Sequence, residues 1–274
     1  ANSATSIDES NENDVVVDGS HSGENVGEMI AWAGVRGRIG NDAGIGRGGA
    51  GTAGLNILEK AGIPAAAVSA TSARIGDGTS TYEEGVISSV NKIGKSLGIT
   101  IGMPAKEAAD LMFQASLDKK GAATGSKSQN RSIRTAGKGN EQEIVRALGK
   151  SRIIVVDTTS DINETNSNDV IVTGSHQGLN SGHYLAGLRI KGVIGNDAGL
   201  GKQNAGIAGL KILDEHVIPG AAVSSMSARI GNGKSTFNQG RISAVNKAAE
   251  KLGLAEGMLA KEAAGRMLDA LAEK

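Results

Sequence analysis

The sequence predicts an α/β protein made of two homologous Rossmann-like βα units with mostly parallel sheets, related by a pseudo-twofold axis. Three observations carry that expectation. Residues 14–113 align with residues 169–268 at a constant offset and without a gap, and more than half of the aligned positions are identical. Within each copy, short β-branched apolar runs alternate with segments of helical spacing. The polar, Gly-rich stretches follow the apolar runs, as loops at the carboxyl ends of parallel strands do. The expected organisation is a first repeat over 1–116, a flexible linker over 117–141 rich in Gly, Ser, Lys, Asn and Thr, and a second repeat over 142–274.

The elements follow in order. Val15-Val16-Val17 reads as a strand ending in Asp18-Gly19-Ser20-His21-Ser22-Gly23. A helix over 24–33 stops at Gly34, a residue suited to the left-handed C-terminal position. A strand near 35–39 leads into Gly40-Asn41-Asp42-Ala43-Gly44, and a helix over 50–61 closes at Gly62 before Pro64. Ala65–Val68 is the next strand, followed by Ser72-Ala73-Arg74-Ile75-Gly76. Ser80 and Glu83 then form a Ser-x-x-Glu capping pattern, and Val86, Val90, Ile93 and Leu97 recur at helical spacing, predicting one long helix ended by Gly98. A last helix starts near Pro104 and runs through Met112. The second copy repeats the scheme, with one asymmetry. It is preceded by the strand Arg152-Ile153-Ile154-Val155-Val156-Asp157, which at the same offset would fall before Ala1 in the first copy.

Composition narrows the function classes. Lys plus Arg equals Asp plus Glu (29 each), and aromatic residues make up 2% of the chain. Such a chain has neither the basic field nor the stacking faces that nucleic acid requires. No apolar run reaches membrane-spanning length, so no membrane partner is expected. The absence of cysteine excludes disulfides, Fe–S clusters and thiol nucleophiles and suits a reducing compartment, giving a cytoplasmic expectation.

The three loops expected at the carboxyl edge recur intact in both copies, and they hold the candidate site residues. His21 and His176 are the candidate acid–base groups near neutral pH, with Asp42 and Asp197 to orient the imidazole or act as the base. Ser20 and Ser72 are candidate nucleophiles, although no Gly-x-Ser-x-Gly elbow is present. Arg74 and Arg229 suit a two-pronged clamp on a carboxylate or phosphate, with Asn41, Asn196, Gly44 and Gly76 lining the same loops. The alternative is that these residues satisfy turn backbones and pair with each other, Arg74 with Asp42. A metal set of His21, Asp42, Asp18 and Asp77 is disfavoured, because the second copy has Thr173 and Asn232 at the two last positions.

The duplication also weakens two nucleotide patterns. Gly44-Ile45-Gly46-Arg47-Gly48-Gly49 has Asn204 at its counterpart's last position, and Ala228-Arg229-Ile230-Gly231-Asn232-Gly233-Lys234-Ser235 has Thr79 in place of Lys234 in the first copy. No metal or cofactor is therefore expected. The leading expectation is an enzyme acting on a small anionic molecule by His/Asp acid–base chemistry with an Arg clamp, with hydrolysis favoured over elimination and isomerisation. A non-catalytic small-anion binding or sensory module, and a structural subunit that forms a homo-oligomer, are the alternatives.

Overall fold

The computed structural model describes residues 1–118 and 142–272; the linker expected over 117–141 falls outside the described residues from 119 onward. The chain divides into two compact units. Each is a mixed α/β unit with a mostly parallel sheet and alternating strands and helices.

The first unit runs β1 (Val15–His21), α1 (Glu24–Ala33), β2 (Gly37–Asn41), α2 (Gly54–Lys60), β3 (Ala65–Val68), α3 (Gly78–Glu84), β4 (Ile87–Val90), α4 (Lys92–Ser96) and α5 (Ala105–Asp118). Its sheet has the order β1-β2-β3-β4, with β1, β2 and β3 parallel and β4 antiparallel to β3. One face packs Ile39, Val68 and Ile87 against Ala105, Ala108 and Met112 of α5. The other packs Ala65 and Ala67 against Ile30 of α1 and Leu58 of α2. The small strand residues let the helices lie close. Helices α1 and α2 meet through glycine, since a Cβ on Gly27 would stand 2.6 Å from the Gly54 Cα.

The second unit runs β5 (Glu143–Leu148), β6 (Ser151–Val156), β7 (Val170–His176), α6 (Leu179–Leu188), β8 (Gly192–Asn196), α7 (Gly209–Glu215), β9 (Gly220–Val223), α8 (Gly233–Gln239), β10 (Ile242–Val245), α9 (Lys247–Glu250) and α10 (Ala260–Ala272). Its sheet order is β10-β9-β8-β7-β6-β5, parallel from β6 to β9 and antiparallel at both ends. The apolar run before the second copy is β6, paired in parallel with β7. The antiparallel β5 beside it lies outside the sequence expectation.

The long helix expected from Ser80 to Leu97 does not form. Helix α3 ends at Glu84, Gly85 turns the chain, and the β-branched stretch beyond it pairs with β3 as β4. The start also differs. Asp77, not Ser80, is the N-cap, its carboxylate accepting the Ser80 N–H at 2.9 Å, while the Ser80 hydroxyl donates to Glu84 instead of forming a box with Glu83. Alternate apolar residues on a short buried strand and residues spaced along a helix give similar patterns over such a window.

Candidate functional site

The loops after β1, β2 and β3 are hydrogen-bonded to one another, as are those after β7, β8 and β9. In the first unit the Ser22 N–H donates to the Asn41 and Gly51 carbonyls, the Gly76 N–H to the Gly19 carbonyl at 2.7 Å, and the Asn41 amide to the Ala73 carbonyl at 3.2 Å. The second unit repeats the last two bonds from Gly231 to Gly174 at 2.8 Å and from Asn196 to Ala228 at 3.3 Å. The candidate residues thus gather at the carboxyl edge of each sheet, and their partners define what each is able to do.

Asp42 is buried, and its carboxylate accepts three hydrogen bonds. Oδ1 takes the N–H groups of Gly44 and Ala70, both at 2.8 Å, and Oδ2 takes the Ser88 hydroxyl at 2.7 Å. Asp197 does the same with Gly199, Ser225 and Ser243 at 2.9, 2.8 and 2.9 Å. The carboxylate ties the second loop to the third and to the antiparallel strand. Ser88 and Ser243 are partners that the sequence reading missed; the recurrence of a serine after Ile87 and Ile242 was the available signal. Asn41 and Asn196 are also fully buried, each accepting an N–H two residues on, from Ala43 at 2.8 Å and Ala198 at 2.9 Å.

The backbone that these side chains hold is left-handed. Ala43, Gly44, Ile45 and Gly46 have φ of 48°, 69°, 65° and 67°, and Ala198, Gly199, Leu200 and Gly201 have 48°, 69°, 62° and 67°. Gly76 and Gly231 are left-handed as well, at 84° and 78°. Each non-glycine residue in this region costs roughly 1–2 kcal/mol, which the fixed hydrogen bonds must offset. Ile45 and Leu200 also stay exposed.

The candidate nucleophiles are held by the backbone. The Ser20 hydroxyl accepts the Ala4 N–H at 2.9 Å, and Ser72 donates to the Ser69 carbonyl at 2.8 Å while accepting the Val86 N–H at 2.9 Å. His21 and His176 use Nδ1 to accept the N–H of Gly23 and Gly178, each at 3.0 Å, which puts the proton of the neutral ring on Nε2. His176 keeps part of its surface exposed, yet desolvation pushes its imidazole down to about 4, so the ring is neutral near pH 7.

Arg74 pairs with carboxylates of its own unit other than Asp42: Asp77 at 3.1 Å and Glu84 at 3.3 Å. Burial raises the Asp77 carboxyl, but hydrogen bonds from the Ser80 N–H and from Arg74 outweigh it and hold it below its usual range. At the matching positions around Arg229 stand the amides Asn232 and Gln239, which keep the cap and hydroxyl contacts with Ser235 at 2.7 and 2.9 Å. Lys234 of the phosphate-loop pattern pairs with Glu143 at 3.0 Å, at the start of an ordinary Asn-capped helix.

Asp18 belongs to a different structure. It forms a fully buried ion pair with Arg38, which donates Nε to Oδ2 at 2.8 Å and Nη2 to Oδ1 at 2.9 Å. Arg38 also donates to the Ser22 hydroxyl at 3.0 Å and the His21 carbonyl at 3.2 Å. The second unit has Thr173, Val193 and Gln177 at the three side-chain positions. The joint exchange of Asp18 and Arg38 was the signal for this pair. Gln177 is fully buried, and its amide has no hydrogen-bond partner among the described residues.

Among the described residues, no group of three or more His, Asp or Glu is placed to hold a metal ion, and no helix is long and apolar enough to cross a membrane. In comparison with known proteins, no family model, curated protein or solved structure matches the chain.

Proposed function

We propose that this chain is a small-anion binding module whose loops, at the carboxyl ends of the parallel strands, take a carboxylate or phosphate. The observation that carries the non-catalytic reading is the threefold hydrogen bonding of Asp42 and of Asp197. Those bonds commit both oxygens of each carboxylate to the loop backbone and to the adjacent antiparallel strand. Ser20 and Ser72 carry backbone hydrogen bonds too. What these loops offer a ligand is the guanidinium groups of Arg74 and Arg229 and a backbone held open by left-handed residues. The same reading includes two duplicated Rossmann-like units, a cytoplasmic location, and self-association as a homo-oligomer. The pseudo-twofold relation between the units draws on the sequence duplication alone.

Catalysis by His21 with Asp42, or His176 with Asp197, is the second reading. One observation favours it: strained non-glycine backbone concentrates at working sites, and here it recurs at Ala43, Ile45, Ala198 and Leu200. A thermal-shift screen of carboxylates and phosphates, followed by calorimetric titration and recovery of the ligand, separates the two. The binding module predicts a stabilising anion recovered unchanged. It also predicts an affinity loss of about tenfold for Arg229→Ala and for Arg74→Ala. Turnover of the ligand, lost in His21→Ala plus His176→Ala, would establish the enzyme instead.

A further inference from the structure

The loops treated above lie at the carboxyl ends of the parallel strands, and the second unit carries a separate cavity at their amino ends. Its volume is about 620 Å³, and it lies among the last turns of α6 and α7, the residues leading into β8 and β9, and one side each of α9 and α10. A space of this size takes a small molecule. Its floor is apolar, with Ile190, Ile218 and Met267 buried there and Leu252 half-buried beside them. Its rim is basic. Arg189, Lys191 and Lys251 line it with exposed side chains, and no Asp or Glu lines it among the described residues.

The first unit builds the same fold without these features. It has Gly34 for Arg189, Gly62 for Val217, Ser96 for Lys251 and the larger Ile93 for Ala248, and only Lys191 keeps a basic counterpart, Arg36. Arg189, Val217 and Lys251 are on the surface, so these exchanges do not refill an interior. Two of them are costly. Arg189 and Val217 hold left-handed backbone at φ of 55° and 56°, a conformation that a side chain disfavours and that the glycines of the first unit adopt freely. Both strained residues line this one cavity, and strain kept in this way concentrates where a side chain has a task.

We propose that this cavity binds a small amphipathic anion, a single carboxylate or phosphate head on a short apolar body. The head sits at the rim with Arg189, Lys191 and Lys251, and the body lies over Ile190, Ile218 and Leu252. A guanidinium and two ammonium groups on one rim attract an anionic head and repel a cationic one. The long stems of these side chains add apolar wall below their charges. Val217, 74% exposed, is apolar surface that such a ligand covers, and Ala248 leaves the wall less bulky than Ile93 would.

The test titrates the full chain, isotope-labelled at its methionine methyl groups, with octanoate, octyl phosphate and octanol, read by NMR. The expected result is a saturable shift of the Met267 methyl with octanoate or octyl phosphate, the tighter of the two identifying the head. The methyl of Met112, the matching residue of the first unit, should stay in place. Octanol should bind about tenfold more weakly or worse, and Lys251→Glu should weaken the anion by a similar factor. Arg189→Gly should also weaken it about tenfold while raising the melting temperature, a combination that an arginine kept for structure does not give. No shift at Met267, octanol bound as tightly as the anions, or parental affinity in both Arg189→Gly and Lys251→Glu would overturn the proposal.

Discussion

Beside the first parallel strand, the first unit buries Asp18, Arg38 and Ser22 in a hydrogen-bonded ion pair, while the second unit fills the same positions with Thr173, Val193 and Gln177. A few residues away, Asn41 and Asp42 keep their hydrogen bonds unchanged as Asn196 and Asp197. Residues that recur fix the strained loop; residues that differ together are alternative ways to fill an interior. A charged group present in one unit only is therefore no sign that this unit is the working one.

The largest expected effect tests that statement. Asp18→Ala leaves the Arg38 charge buried without its partner and should destabilise the first unit by about 3–5 kcal/mol, whereas Thr173→Ala should cost only ~1 kcal/mol. Denaturant unfolding followed by fluorescence of Trp32, the sequence's one tryptophan, reads the first unit. Transplanting the second unit's solution, Asp18→Thr with Ser22→Gln and Arg38→Val, should recover most of the loss and end within about 2 kcal/mol of the parent. A transplant as unstable as Asp18→Ala would show that the ion pair is not interchangeable with an apolar filling.

A smaller contrast lies in the helix ends. Gly34 and Gly62 occupy left-handed positions in the first unit, at φ of 72° and 77°, and the second unit forces Arg189 and Val217 into the same region at 55° and 56°. Arg189→Gly and Val217→Gly should each stabilise the second unit by roughly 1 kcal/mol, and Gly62→Val should cost the first a similar amount. A Cβ at Gly62 meets nothing within 4 Å, so that cost is one of backbone alone. Thermal melts of the single variants check the sign.

The last effect shows only at acid pH. The His176 imidazole is depressed to about 4 from an ordinary 6.5, so the unfolded chain binds its proton first as pH falls. The stability linked to its neutral form is fully present above pH 6.5 and lost progressively down to about 4. His176→Asn should flatten that limb of the stability profile. An unchanged slope between pH 6.5 and 4 in the variant would assign the limb to other groups.

Much of this was legible in the sequence. The alternation of β-branched runs with glycine-closed helices located the parallel strands, and the gapless duplication located the loops. The stretch after Asp77 was not legible as strand, because Val86 and Val90 fit helical spacing and only pairing with β3 decides against it. The hydrogen-bond partners of Asp42 and Ser72 were not legible either. A side chain that saturates turn backbones has the same identity as one that moves protons, and only its partners distinguish the two. Arg38 could have been found from its joint exchange with Asp18.

The central claim is that the recurring loop residues serve the backbone, and the stability of Asp42→Ala and Asp197→Ala tests it most directly. Each substitution removes an acceptor for the buried Ala70 or Ser225 N–H, for a second loop N–H and for a serine hydroxyl. Denaturant unfolding, with Trp32 for the first unit and hydrogen exchange for the second, should give a loss of about 2–4 kcal/mol in each, similar between units. A neutral or stabilising effect of either substitution, as for a carboxylate held under strain for chemistry, would contradict the account.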